Sequence, residues 1–459
     1  MTLSRRTLFK TIPAGAICAY AAPLSWATDA TDRVELEAEP QTVRWFGDTT
    51  TEIWGYNSTA IKLQQYVPVT IAFTNRLTEP TTVHWHGMRV DNAMDGVSGL
   101  TQAPVQPGES FDYRITPSDA GTFWAHAHHQ TYRQLALGLY TPIIVAEAQP
   151  YPVDRDLLFV ADDWLLTSQD QLDTASLEDT HAWAHAGRMG NVLTVNRLRL
   201  PELAVQAGDR VRLRVMNTAN SRIMRFGFPG LTPYIIAKDG QPLSQPMAHK
   251  GVLTLAPAER YDLVLDIPQD WAGLYPINER SGKQPFLAAQ WQVTAAAGSR
   301  SLEAVVALPA NPLPKAEFKT QQKLTLAMQG GAMGNLTTAL YQGKRLSVQE
   351  LIANKQVWTL NGVANMPQAP LLTAKVGEGI EIALHNTTQW PHAMHLHGQH
   401  FRAFNEVTQQ ELWQDTLLVQ AGDTQKIRFL AMTPGKWLLH CHMIEHQVSG
   451  MVTFVEVRA

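Results

Sequence analysis

The stretch from Ile380 to Gly398, I-E-I-A-L-H-N-T-T-Q-W-P-H-A-M-H-L-H-G, decides the fold. A short alternating run, Ile380-Glu381-Ile382-Ala383-Leu384, stops at Asn386, and nine residues later the chain reaches His395-Leu396-His397-Gly398. The same layout occurs twice more. Val69-Thr70-Ile71-Ala72-Phe73 stops at Asn75 and leads to His84-Trp85-His86-Gly87; Val211-Arg212-Leu213-Arg214-Val215 stops at Asn217 and leads to Phe226-Gly227-Phe228-Pro229. Alternating runs bounded by turn residues read as strands, and self-similarity at this scale is an internal repeat of whole domains. A second register agrees. Gly108 precedes Gly121 by thirteen residues, as Gly422 precedes Gly435, and five residues further on lie His126-Ala127-His128 and His440-Cys441-His442. The first and third copies thus carry two His-x-His strands each. The middle copy has apolar residues at the first pair of positions and reads as a spacer.

A chain of 459 residues fits about three domains. Helical periodicity is scarce, and Gly, Pro, Asn and Asp punctuate many short alternating runs, so the expected class is all-β, three consecutive Greek-key β-sandwiches. Boundaries are expected near Pro150-Tyr151-Pro152 and in the proline-rich stretch from Pro309 to Pro314, giving domains over 28–150, 151–312 and 313–459. The glycine-rich Met328–Gly334 reads as a loop in the third. A composition of 45% hydrophobic and 17% charged residues suits a compact globular protein.

At the N-terminus, Arg5-Arg6 precedes an apolar run ending at Ser25-Trp26-Ala27, the pattern of a Tat-type export signal over 1–27. Pro13 and Pro23 make that run a poor membrane span, so a periplasmic or secreted protein without stable membrane association is expected. Cys18 leaves with the signal, and Cys441 remains as a lone cysteine suited to chemistry rather than to a disulfide. With 37 basic against 41 acidic residues and no basic run, nucleic acid is not an expected partner.

Cys441 lies between His440 and His442, with His446 five and Met451 ten residues on. Thiolate, imidazole and thioether are the donors of a blue copper centre, which needs two His in its plane. His392, three residues before His395, is the leftover imidazole that completes it. Successive strand residues face opposite ways. Cys441 can therefore serve one pocket while its neighbours serve another. The four His-x-His pairs supply eight imidazoles, enough for a cluster of three copper ions at a domain interface.

On these motifs the chain resembles the three-domain multicopper oxidases, the bacterial laccase and periplasmic cuprous oxidase group, and the resemblance spans nearly all of it beyond the signal. It implies cupredoxin-like domains and four copper ions: type 1 copper at His392, Cys441 and His446 with Met451 axial; type 2 at His84 and His395; the type 3 pair at His86, His126 and His442 and at His128, His397 and His440. It implies four one-electron oxidations of a small reductant at type 1 copper, passage through Cys441 to His440 and His442, and reduction of dioxygen to water. The axial Met implies a moderate potential. Asp95 stands where the family keeps an acid beside the type 2 copper. A second family acid is replaced by Gln447, so either Glu445 takes its place or the second proton route differs.

Other residues carry less. His129 and His400 read as surface or supporting residues, His181 and His185 as part of a solvated loop or short helix, and Asp415 as either a substrate-end residue or a turn cap. Cuprous oxidases of the periplasm carry a Met-rich insert and acidic or Met residues before the first type 1 His; here those positions are Thr388 and Trp390, with only Met328 and Met333 in the glycine-rich stretch. The expectation is a monomer with an open type 1 site and laccase-like activity on phenols and aromatic amines. The alternatives are copper(I) oxidation and a non-catalytic exported scaffold.

Overall fold

A computed structural model describes residues 32–296, 301–315 and 317–459. The signal expected over 1–27 lies outside them. The fold is nearly all β, as expected, and its larger sheets form three facing pairs, with a separate two-stranded hairpin of Thr338–Tyr341 and Lys344–Ser347. In the first, Thr49–Tyr56, Arg33–Phe46, Val69–Asn75 and Ser110–Ile115 make one sheet, and Ile61–Gln64, Tyr140–Ala146, Gly121–Ala127 and Val83–His86 the other. Leu36, Ile71, Phe73, Trp85, Tyr113 and Ile143 fill the space between.

The repeat seen in the sequence is a repeat of topology. In each sandwich the opening strand lies parallel to the alternating run: Leu36 beside Phe73, Leu157 beside Leu213, Leu324 beside Ile382. A short strand of the opposite sheet likewise lies parallel to the closing one, Ile61 by Ile143, Leu203 by Trp291 and Leu372 by Val455. Such crossed connections make the Greek key. The asparagine ending each run has a physical task. Asn75, Asn217 and Asn386 are fully buried. Each donates through Nδ2 to a carbonyl of its own turn (Glu79, Arg222, Trp390) and to one across the sandwich (Val105, Leu255, Val419). Each side-chain carbonyl accepts from the amide two residues on. A buried amide satisfied on all sides fixes the turn that launches the next strand.

Met328–Gly330 ends the strand Thr320–Gly330 rather than opening a loop; only the residues after it turn. Among the described residues no helix is long and apolar enough to cross a membrane.

Candidate metal centres

The strand Gly435–Cys441 pairs with His392–Leu396, placing Cys441 opposite Met394 and His440 opposite His395. His392, Cys441 and His446 converge in one pocket. The thiol Sγ lies 3.7 Å from Nδ1 of each imidazole, and the two Nδ1 atoms lie 3.0 Å apart. Each ring is held from behind. His392 Nε2 bonds Thr388 Oγ1 at 2.9 Å, and His446 Nε2 donates to the His185 carbonyl at 2.8 Å. Met451 is buried in the same core cluster, its amide bonded to the His446 carbonyl and its carbonyl to the Cys441 amide. Burial pushes the Cys441 thiol up to about 12 and holds His446 down at about 4. A thiolate here needs a cation beside it.

On the other side of the same strand eight buried imidazoles meet. His84 faces His126 across one strand pair and His395 faces His440 across the other. His84 stacks on His397 at 3.8 Å between ring centres, and His86 on His395 at 3.7 Å. His397 Nε2 lies 3.1 Å from His440 Nε2, and His126 Nε2 3.4 Å from His442 Nε2. Burial holds His86, His126, His128, His395, His397, His440 and His442 low, reinforced for all but His440 mainly by neighbouring imidazoles, so they stand neutral with lone pairs available. His84 Nε2, His86 Nδ1, His128 Nε2, His395 Nε2 and His442 Nδ1 have no hydrogen-bond partner. Orphaned buried nitrogens are costly, and several aimed into one space are the signature of metal ligands. Imidazole in both pockets, with thiolate and thioether in one, suits copper.

The supports of the cluster show a near-twofold pattern. His84 Nδ1 bonds the Asp95 carbonyl and His395 Nδ1 the Asp415 carbonyl, both at 2.8 Å. The Asp95 carboxylate accepts from His397 Nδ1 at 2.9 Å, while that of Asp415 accepts from His86 Nε2 at 3.0 Å. Asp95 thus stands beside the cluster, against His397 and His84. Asp415 is no turn cap but its counterpart, clamped by Arg260 of the middle sandwich through 2.9 and 2.7 Å bonds. Gly87 shows how tightly this closes: its φ is +83°, and a Cβ there would strike Arg260 and Asp415. His400 sits behind Asp415, bonded to Gln241. His129 bonds Ser98 and lines, with His128 and Gln447, a cleft of about 240 Å³ leading toward the cluster.

Two expectations change. Glu445 is buried, but its carboxylate accepts from Ser221 and Asn220 of the middle sandwich, and its described bonds reach no imidazole of the cluster. It sits on the short helix Ile444–Val448, which turns it toward the domain junction. The type 1 pocket is not open. The helix Thr180–Trp183 and the residues after it lie over it, with the His185 carbonyl on His446 and the Trp183 carbonyl accepting from Trp358 Nε1. His446 is fully buried as a result.

Sandwiches carrying one thiol-containing and one polyimidazole pocket form a class whose donor atoms suit copper. Family models described as multicopper oxidase match residues 37–150, 155–299 and 337–459. A structure from a marine microbial metagenome, Lac15, is 33% identical with a TM-score of 0.74, covering 92% of this chain and all of that one. Multicopper oxidase MmcO of Mycobacterium tuberculosis is 27% identical over 84% of this chain and 78% of its own length, and Laccase-2 of Fomitopsis schrenkii 28% over 82% and 78%. The chain belongs to the multicopper oxidase family, copper-dependent oxidoreductases that use oxygen. That membership displaces the scaffold alternative.

Proposed function

We propose that this protein is a laccase-like oxidase of small phenolic or aromatic-amine donors, exported through a Tat-type signal over 1–27 to the periplasm or exterior, acting as a monomer of domains 28–150, 151–312 and 313–459. Four copper ions are held: type 1 by His392, Cys441, His446 and Met451, type 2 by His84 and His395, and the type 3 pair by His86, His126 and His442 and by His128, His397 and His440. Copper bound there would supply one-electron acceptance and the reduction of dioxygen to water. The chain's own part is to fix donors, path and protons. His446, through its bond to the His185 carbonyl, is the edge where electrons enter. Cys441 is joined to His440 and His442 by single peptide links, so the route between pockets is covalent. Asp95 orients His397 through one carboxylate oxygen, and the other, Oδ1, lies 3.3 Å from His84 Nδ1, so this acid stands between two cluster imidazoles as the proton relay. The cleft beside His128 and Gln447 is the approach for dioxygen.

The convergence of eight buried imidazoles one residue from a buried thiol carries this reading. Copper content and the visible spectrum of the loaded protein test it, beside Cys441→Ser. About four coppers and a blue absorption lost in the variant are expected from thiolate ligation; one or two coppers without a blue band would refute it. A second reading, copper(I) as donor, is favoured by the two imidazoles of His181 and His185 over the covered type 1 pocket. Oxygen uptake with a phenol against copper(I) separates the two.

A further inference from the structure

The strands Tyr234–Lys238 and Gln241–Ala248 of the middle sandwich pair with Lys238 opposite Gln241, so Asp239 and Gly240 alone make the turn between them. Their φ angles, +49° and +76°, are those of the tight hairpin turn that Asp-Gly favours. This tip is driven into the junction of the three sandwiches. A Cβ on Gly240 would strike Phe123, which lies on the strand carrying His126, and Gln241 bonds His400 of the third sandwich at 3.2 Å. Asp239 is fully buried there. A buried carboxylate needs partners on both oxygens, and those it has come from two sandwiches.

Oδ1 accepts from Lys238 Nζ at 3.0 Å and from the Arg260 amide at 2.9 Å. Oδ2 accepts from the amides of Asp415 and Thr416 at 3.2 and 3.3 Å, 176 and 177 residues along the chain. Burial alone would raise Asp239, but Lys238 and Arg260 outweigh it and hold it below the usual carboxylate range, so it is ionised. Asp415 is thereby gripped twice, its backbone by Asp239 and its carboxylate by Arg260. Asp415 in turn sets two cluster imidazoles in opposite tautomers. Its carboxylate, clamped by the Arg260 guanidinium, only accepts, so His86 carries its proton on Nε2 and presents a bare Nδ1. Its carbonyl takes the Nδ1 proton of His395, which presents a bare Nε2. Behind Asp239, Lys238 reaches Glu259 at 2.9 Å, at the wall of a cleft of about 480 Å³ between the middle and third sandwiches. From Glu259 through Lys238, Asp239 and Arg260 to Asp415 the buried charges alternate in sign, and Asp239 is the middle one.

We infer that Asp239, whose described bonds reach no imidazole of the cluster, is a positioning residue of the polyimidazole pocket: it fixes the backbone of Asp415, and through it the facing and the tautomers of His86 and His395. The inference rests on the oxidase reading above for the copper held there, not for the ring positions. Asp239→Asn tests it, because the amide keeps the size and tolerates the left-handed turn but gives one of its two end atoms the wrong polarity. If that N–H faces the amides of Asp415 and Thr416, donors meet donors. If it faces Lys238 and Arg260 instead, only a neutral oxygen is left to hold those amides, and it holds them less strongly than a carboxylate. Either way the grip on Asp415 is weakened.

The matched control is Asp156→Asn, which alters another buried carboxylate of the middle sandwich, one bonded to Arg214 at 2.7 and 2.8 Å and to no group that holds the cluster. Dialysis of the copper-loaded protein against a chelator should show the polyimidazole copper bound about tenfold more weakly in Asp239→Asn. Its type 2 copper EPR signal should change and its blue absorption should not, and Asp156→Asn should show neither effect. Equal retention and an equal signal in Asp239→Asn and the parent, or the same loss in Asp156→Asn, overturns the inference. In copper-free protein labelled with ¹⁵N-histidine, where protonated and bare ring nitrogens resonate apart, Asp239→Asn should mix the tautomers of His86 and His395. Single tautomers as in the parent overturn it as well. A parent that takes up no copper, with a variant that mixes the tautomers, would keep Asp239 in this role and sink the oxidase reading alone. Should Asp239→Asn not fold, Lys238→Met combined with it removes both charges at once and is held to the same outcomes.

Discussion

The outer sandwiches and the middle one share a topology and differ in what they give the centres. Where the first and third carry His84 and His86, and His395 and His397, the middle carries Phe226 and Phe228, which fill its own core. It reads in sequence as a spacer, yet it touches both metal pockets. Arg260 clamps Asp415, the His185 carbonyl holds His446, and Ser221 and Asn220 hold Glu445. The atoms suited to metal sit on strands that repeat, whereas the groups that hold those strands sit where nothing repeats. A repeat can lose its ligands and keep the work of orienting its neighbours' ligands, since outer partners set ring orientation and basicity.

The sharpest break of this contrast is within an outer sandwich. Cys441→Ser removes the one thiolate and should abolish the blue absorption and lower oxygen uptake by more than about a hundredfold, beyond the range that outer partners command; retained uptake would put the electron path elsewhere. Next comes the middle sandwich. Arg260→Leu leaves Asp415 and Asp239 facing each other with less compensating charge, and should cost about 3–5 kcal/mol in denaturant melts together with copper content. A change under about 1 kcal/mol would make the middle domain the spacer it resembles. Asp95→Asn keeps shape but not charge and should slow oxygen uptake by about 10–100-fold, with the blue band intact.

Metal removal and pH sharpen the same comparison. The buried imidazoles have folded pKa values below their unfolded ones, so the unfolded chain binds more protons under about pH 6.5. Their contribution is present above that pH and lost as it falls. The copper-free protein should therefore lose stability between pH 7 and pH 5 by up to about 1.4 kcal/mol per pH unit for each such His, seen as a falling Tm. The loaded protein, whose ligated imidazoles take up no proton while folded, should lose at least as much per pH unit, and a shallower slope than that of the copper-free protein would argue against ligation. The smallest effect belongs to Glu445→Gln. As a junction residue it should change stability by about 1 kcal/mol with oxygen uptake nearly unchanged; a large loss of uptake would restore it to the proton route.

Much of this was written locally. The asparagine-to-histidine register, the four His-x-His pairs and the spacing around Cys441 determine the all-β repeat and the donor atoms, because strand alternation and turn chemistry act over a few residues. His392 follows from the same local logic. Asp415, Arg260 and the His185 carbonyl were not legible. Asp415 follows His395 by twenty residues while its counterpart Asp95 follows His84 by eleven, so no register links them. The His185 contact is made by a backbone atom, which any residue could supply. Sequence alone determined which atoms can bind metal and on which face of which strand; only the tertiary structure decided that the type 1 pocket is covered, that Glu445 faces a domain junction, and that the middle sandwich holds both pockets. Those outcomes depend on how three separately folded sheet pairs dock, and docking is set by contacts between residues far apart in the chain, which carry no periodic trace within it.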